Sequence, residues 1–255
     1  MIVPLLLCAT LAAAGTPGVA PDAGGPVVSP GAPRPGAAAS DLTASLGKLG
    51  LPLVLSLTDR PRGILVLVSG DGGWSRLDKT LAAYLAARGV STIGLNAMKY
   101  FWDERKPEEA AADLRRLIDA ARGEGAPVFA GGYSFGAEVV PVVLDRPEPG
   151  PGGLAGLILI APGPYASFEV HLTDWLRGKE KPTPHRVLDH VRHLADLPVL
   201  CLAPERDEES VCPSLDGEAR RRVILLPGSH HFGGDYERLG EETLRFMETV
   251  LPGRP

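Results

Sequence analysis

From residue 50 onward, short runs of apolar residues alternate with stretches in which apolar positions recur every three or four residues. That alternation predicts repeated strand–helix–strand units and a mostly parallel sheet. "LPLVLSL" reads as an early strand, and "GILVLVSG" is continuously apolar, as a strand covered on both faces must be. "SRLDKTLAAYLAARG" places Leu77, Leu81, Tyr84 and Leu85 at helical spacing and ends on Gly89, a helix stop. "VSTIGL" follows as a strand. "PEEAAADLRRLIDAARGEG" opens with Pro107 and two glutamates and closes on arginine and glycine, so both helix ends are signalled. Next come the strand "APVFAGG", a helix from Ser134 to about Leu144, and the strand "LAGLILIAP". Residues 163–195 interrupt this rhythm with scattered Pro, His, Trp and charge, which predicts an insertion over one end of the sheet. The strands "DLPVLCLAP" and "RRRVILLPG" and a helix from about Asp235 to Val250 complete the series.

The N-terminal part follows different rules. "MIVPLLLCATLAAAG" is an apolar run ending in small residues, the pattern of an export signal, with cleavage expected near Ala14 or Ala20. It is short for a bilayer span, which needs about 20 apolar residues. Cys8 lacks the small residues that precede a lipidated cysteine. Gly, Pro and Ala dominate the segment that follows, leaving no apolar face to bury. The expected organisation is therefore a signal peptide over 1–20, a disordered linker over 21–45 and one α/β domain over 46–255. A 44% hydrophobic content is enough for one substantial core. The formal net charge of −5, with no long basic run, excludes nucleic acid as a partner class. Beyond Cys8 the chain has Cys201 and Cys212, an even pair that an oxidising compartment would let bridge, or else two separate buried thiols.

Chemistry enters at "GGYSFGAE". Ser134 stands between Gly132 and Gly136, directly after a predicted strand and directly before a predicted helix. A serine held on so tight a strand-to-helix turn is the nucleophile of the α/β-hydrolase fold, and the small flanking residues let the turn pack against its neighbours. A hydroxyl is a weak nucleophile at neutral pH and needs a base, itself oriented by a carboxylate. In this fold acid and then base follow the serine, on loops after later strands. "APERDEES" offers Asp207 as the acid, with Glu205, Glu208 and Glu209 as rivals. "PGSHHFGGDY" offers His231 as the base, with His230 as the alternative. His171, His185, His190 and His193 lie in or beside the insertion without tidy ligand spacing on one secured element, so no metal is expected. No cofactor is expected either. The oxyanion of an acyl-transfer intermediate needs two backbone N–H donors. Phe135, after the serine, and Asp71, in the "SGDGGW" loop, are the candidates.

Together, "LVSGDGGW", "KYFWDERKPEEAAADLRR", "GGYSFGAEVVP", "LCLAPERDEESVCP" and "LPGSHHFGGDY" resemble the bacterial VirJ/AcvB family of exported α/β-hydrolases over about residues 50–250. The resemblance implies an α/β-hydrolase fold with a small insertion over the active-site end, and a periplasmic serine hydrolase. For better-known members it implies cleavage of the aminoacyl ester of lysyl-phosphatidylglycerol. Carried over by position, it implies Ser134 as nucleophile, His231 as base, Asp207 as acid and a bridge between Cys201 and Cys212. Pro204 stands where the family often has glycine. A lysyl ester carries two ammonium groups, so Asp71, Asp103, Glu104 and Glu138 become candidate contacts. Gly72, Trp74, Tyr100 and Trp102 are candidate pocket residues, and the "YFW" cluster could also meet a membrane surface. Two rival readings are a general carboxylesterase or polyester depolymerase, and a non-catalytic assembly factor with secretion-system protein partners.

Overall fold

The computed structural model describes residues 26–28, 37–147, 152–170 and 183–251. The expected signal peptide, Cys8 and His171 lie outside the described residues. Among those described, no helix is long and apolar enough to cross a membrane.

Among the described residues, eight strands form one sheet: β1 (Val27–Val28), β2 (Leu53–Ser56), β3 (Gly63–Val68), β4 (Val90–Leu95), β5 (Val128–Tyr133), β6 (Gly156–Ile160), β7 (Val199–Pro204) and β8 (Arg221–Leu226). Their spatial order is β1-β2-β4-β3-β5-β6-β7-β8. Strands β3 to β8 run parallel, and β2 joins β4 antiparallel. This is the α/β-hydrolase fold. The helices are α1 (Ala37–Gly47), α2 (Arg76–Ala86), α3 (Ala97–Tyr100), α4 (Pro107–Arg122), α5 (Phe135–Leu144), α6 (Val187–His193) and α7 (Tyr236–Met247).

The continuous apolar runs are explained by burial on both faces, since successive strand side chains point to opposite sides. In β3, Ile64, Val66 and Val68 enter the core beneath α1, α4 and α5, while Leu65 and Leu67 enter the core beneath α2 and α7. Strand β6 divides the same way, with Leu157 and Leu159 on one side and Ile158 and Ile160 on the other.

The structure departs from expectation near the linker. Residues 37–47, expected to be largely unstructured, form α1, and Ala39, Leu42 and Leu46 are buried in the core. Val27 and Val28 pair with Val54 and Leu55 of β2. The alanine-rich composition that suggested a tether also suits a helix, because three apolar side chains on one face are enough to dock it.

Candidate active site

The parallel strands place the loops after β3, β5, β7 and β8 along one edge of the sheet, where ligands bind in open α/β folds. Ser134 occupies the turn from β5 into α5 with φ 50° and ψ −119°, a conformation that L-residues rarely adopt. The two glycines make that turn possible. A Cβ on Gly132 would fall 2.2 Å from the backbone of Gly136, and one on Gly136 would fall 2.1 Å from the carbonyl oxygen of Val68. The helix therefore begins in direct contact with both its own strand and β3. Helix α5 is buried throughout, which holds the serine at its head in place.

Ser134 Oγ lies 2.8 Å from His230 Nε2, and His230 Nδ1 lies 2.8 Å from Asp207 Oδ2. An ionised carboxylate only accepts hydrogen bonds, so the imidazole proton sits on Nδ1 and Nε2 is left to accept from the serine hydroxyl. Asp207 Oδ1 also accepts from the Glu209 amide, 3.3 Å away. The acid and base loops are stitched together by main-chain bonds, Glu205 N–H to Leu226 O at 2.8 Å and Arg206 N–H to Gly228 O at 3.2 Å. A disulfide joins Cys201, inside β7, to Cys212, at the head of a short 3-10 turn (Cys212–Leu215) that follows the acid loop. Both sulfurs belong to buried residues. A serine in line with an imidazole and a carboxylate can deliver an alkoxide-like oxygen to an electrophilic carbon.

The histidine assignment is corrected by this geometry. His230, not His231, meets the serine. The backbone takes a tight turn here, with Gly228 at φ 115°, Phe232 at φ 52° and Phe232 N–H bonded to Ser229 O at 2.7 Å. Phe232 is buried in the core and anchors the turn, so the two preceding rings diverge, with their planes 76° apart. His231 is exposed, and its Nδ1 lies 2.9 Å from the Tyr133 hydroxyl.

Tyr133 is a residue that the motif reading passed over. Its ring lies 5.8 Å from that of His230, and its hydroxyl reaches the carbonyl of His230 at 3.5 Å. It thus braces the base loop from the strand that carries the serine. Burial pushes its phenol well above the ordinary value, and the charges of Asp78, Asp71 and Asp207 add to that. The signal was in the sequence, as the aromatic residue immediately before the serine.

The "SGDGGW" loop does pass against the serine. A Cβ on Gly70 would lie 3.3 Å from the Tyr133 ring and 3.7 Å from Ser134 Cβ. Ser69, fully buried, holds the loop by donating to Gly70 O and accepting from Ala97 N–H, each at 3.0 Å. The Asp71 carboxylate accepts the N–H of Gly72 at 2.9 Å, which turns part of its charge onto the loop itself. Gly72 is exposed. Phe135 N–H belongs to the first turn of α5, where backbone donors have no intrahelical acceptor.

Other candidates are placed elsewhere. Trp74 is buried against β4, where a Cβ on Gly94 would fall 2.2 Å from its ring, so it is a core residue. Tyr100 is 3% exposed, donates to Asp113 Oδ2 at 2.6 Å and carries Arg105 over its face, so it too is packing. Trp102 is half-buried, and Asp103 and Glu104 are exposed. The middle of the "YFW" cluster matters more: Phe101 is buried with its ring 5.1 Å from Phe135, next to the serine. Glu138 is buried in the first turn of α5 and accepts the Gly163 N–H at 3.1 Å, tying the loop after β6 to the helix.

Residues 63–251 match the family model described as bacterial virulence protein (VirJ). The chain belongs to the VirJ family. No curated protein sequence matches it. Solved structures similar to this VirJ-family chain include TT1662 from Thermus thermophilus, at 18% identity and TM-score 0.58, covering 81% of this chain and 96% of that one. A dienelactone hydrolase from Anabaena variabilis aligns at 15% identity and TM-score 0.57, covering 78% and 91%. A soluble variant of monoglyceride lipase from Saccharomyces cerevisiae aligns at 12% identity and TM-score 0.55, covering 77% and 89%. These likenesses establish the hydrolase fold of this VirJ-family protein.

Proposed function

We propose that this VirJ-family protein is a serine esterase working through an acyl-enzyme. The observation that carries the reading is the hydrogen-bonded chain from Ser134 through His230 to Asp207. In this mechanism Ser134 Oγ attacks the ester carbonyl carbon as its proton passes to His230 Nε2. Asp207, held to Nδ1, orients the ring and stabilises the imidazolium. The negative oxygen is received by the N–H groups of Phe135 and Asp71, each donor lowering the barrier by about 3 to 4 kcal/mol. Collapse expels the alcohol, which takes the proton from His230. Water then enters by the same route and releases the acid.

The substrate we propose is an aminoacyl phospholipid, lysyl-phosphatidylglycerol. Asp71 stands in the loop that touches the serine, and a carboxylate there favours a cationic acyl group over a neutral one. The place of action we propose is the periplasm, reached by an N-terminal export signal. The Cys201–Cys212 disulfide supports an oxidising compartment. The test is to incubate the protein with lysyl-phosphatidylglycerol and, in parallel, with a simple acyl ester. Free lysine released by the native chain and lost in Ser134→Ala is the expected result. Hydrolysis of the simple ester alone would remove the lipid from the proposal, and labelling of neither protein by a fluorophosphonate would remove the mechanism.

A further inference from the structure

The end of α5 remote from Ser134 carries a second cluster of reactive side chains. Asp145 is the C-cap of α5, and its Oδ2 receives His190 Nδ1 at 2.7 Å and His193 Nδ1 at 2.9 Å. The two histidines are three residues apart on α6, so both project from one face of that helix. The three atoms lie within 4.8 Å of one another. We infer that Asp145, His190 and His193 form a binding site for a divalent transition-metal ion, zinc above all.

The donor set decides the class of ion. Two imidazoles and one carboxylate suit zinc and its neighbours, whereas magnesium and calcium take mostly oxygen ligands. Tetrahedral zinc, with bonds of about 2.0 to 2.2 Å, needs ligand atoms about 3.3 Å apart. The observed distances from Oδ2 to the two nitrogens are 2.7 and 2.9 Å, so each must widen by roughly half an ångström to admit the ion. In the metal-free arrangement each Nδ1 carries a proton donated to Asp145. On binding, that proton moves to Nε2 of the same ring and the Nδ1 lone pair goes to the metal, so two neutral histidines lose no proton overall. Asp145 and His190 are largely enclosed, with side chains 18% and 20% exposed, while His193 is 66% exposed. The open side leaves a fourth position for water. Burial keeps the nearby His185, whose ring lies 6.0 Å from that of His190, below its ordinary pKa, and the adjacent Arg146 is paired with Glu108.

The site stands about 15 Å from the serine, judged from ten helical residues at about 1.5 Å each. It ties α6, within the 163–195 segment, to the helix behind the serine. Strand β7, which leads to Asp207, follows α6 directly. Its role is structural.

Untagged full-length protein, stripped with chelator, would be titrated with Zn2+ by calorimetry and with Co2+ by visible absorption, using His230→Ala as the background so that the catalytic imidazole cannot compete. One equivalent bound at micromolar or lower Kd, a rise in Tm, and a loss of at least about 100-fold in affinity in His193→Ala would establish the site. His193 is the exposed ligand, so this variant keeps the fold, and fluorophosphonate labelling of an otherwise native His193→Ala chain should be unchanged. Zinc affinity equal in His193→Ala and its parent, or no binding by the parent, would overturn the inference. Neither outcome bears on the proposed esterase activity.

Discussion

The loop after β5 and the loops after β7 and β8 hold their side chains by different means. Around Ser134 the restraint is steric and local: Gly132 and Gly136 let three backbones meet at distances no side chain could share. Around Asp207 and His230 the restraint is made of cross-links between segments distant in sequence, namely two main-chain hydrogen bonds, the Tyr133 hydroxyl and a disulfide. A steric restraint is specified by a few adjacent residues. Cross-links exist only once the sheet has brought the segments together.

The sharpest way to test this contrast is to separate the two adjacent histidines. His230→Ala removes the proposed base and should lower turnover by about 10^4 or more, while His231→Ala should cost no more than about tenfold, because Tyr133 still has the His230 carbonyl. Steady-state ester hydrolysis by the two variants reads this directly, and comparable losses would place the base elsewhere. Gly136→Ala breaks the steric side of the comparison. The added methyl meets the Val68 carbonyl, which is backbone and yields little, so stability should fall by about 3 kcal/mol and serine labelling should be lost with it. Urea denaturation is the measurement.

Replacing Cys201 and Cys212 by serine opens a cross-link spanning 11 residues, for which about 3 kcal/mol is expected. The loss should show first as heat-sensitive activity, since the acid loop loosens before the serine turn does. Smallest is a pH effect from the first turn of α2. Burial pushes the Asp78 carboxyl up to about 6 from 3.8, with its bonds to Ser75 opposing this. A raised folded-state pKa means that the native chain holds this proton more tightly than the unfolded one. Its contribution is therefore complete below pH about 4 and is lost as pH rises to about 6, by at most about 3 kcal/mol. Asp78→Asn should flatten that slope in denaturation curves taken between pH 4 and 7.

Strands β2 to β8, helices α2, α4, α5 and α7, the serine turn and the glycine-rich loop beside the serine were legible in the chain, because each rests on residues that are neighbours in sequence; α1 and Val27–Val28 were not, and Asp207 was legible only as one carboxylate among Glu205, Glu208 and Glu209. Apolar periodicity reports burial, and a Gly–X–Ser–X–Gly turn between strand and helix reports its own geometry. Which of two adjacent histidines faces the serine was not legible. A one-residue change in turn register reverses the answer, and the register is set by Phe232 entering a core built from remote strands. The same holds for Trp74, Tyr100 and Glu138, whose chemistry suited a pocket but whose partners, Gly94, Asp113 and Gly163, are assigned by packing. It holds again for Asp145, His190 and His193, which converge only when α6 docks on the end of α5. Sequence alone determined most of the elements and what chemistry they could carry; only the tertiary structure decided that the N-terminal segment docks as α1 and which side chains meet, because contacts between distant segments depend on the docking of whole elements.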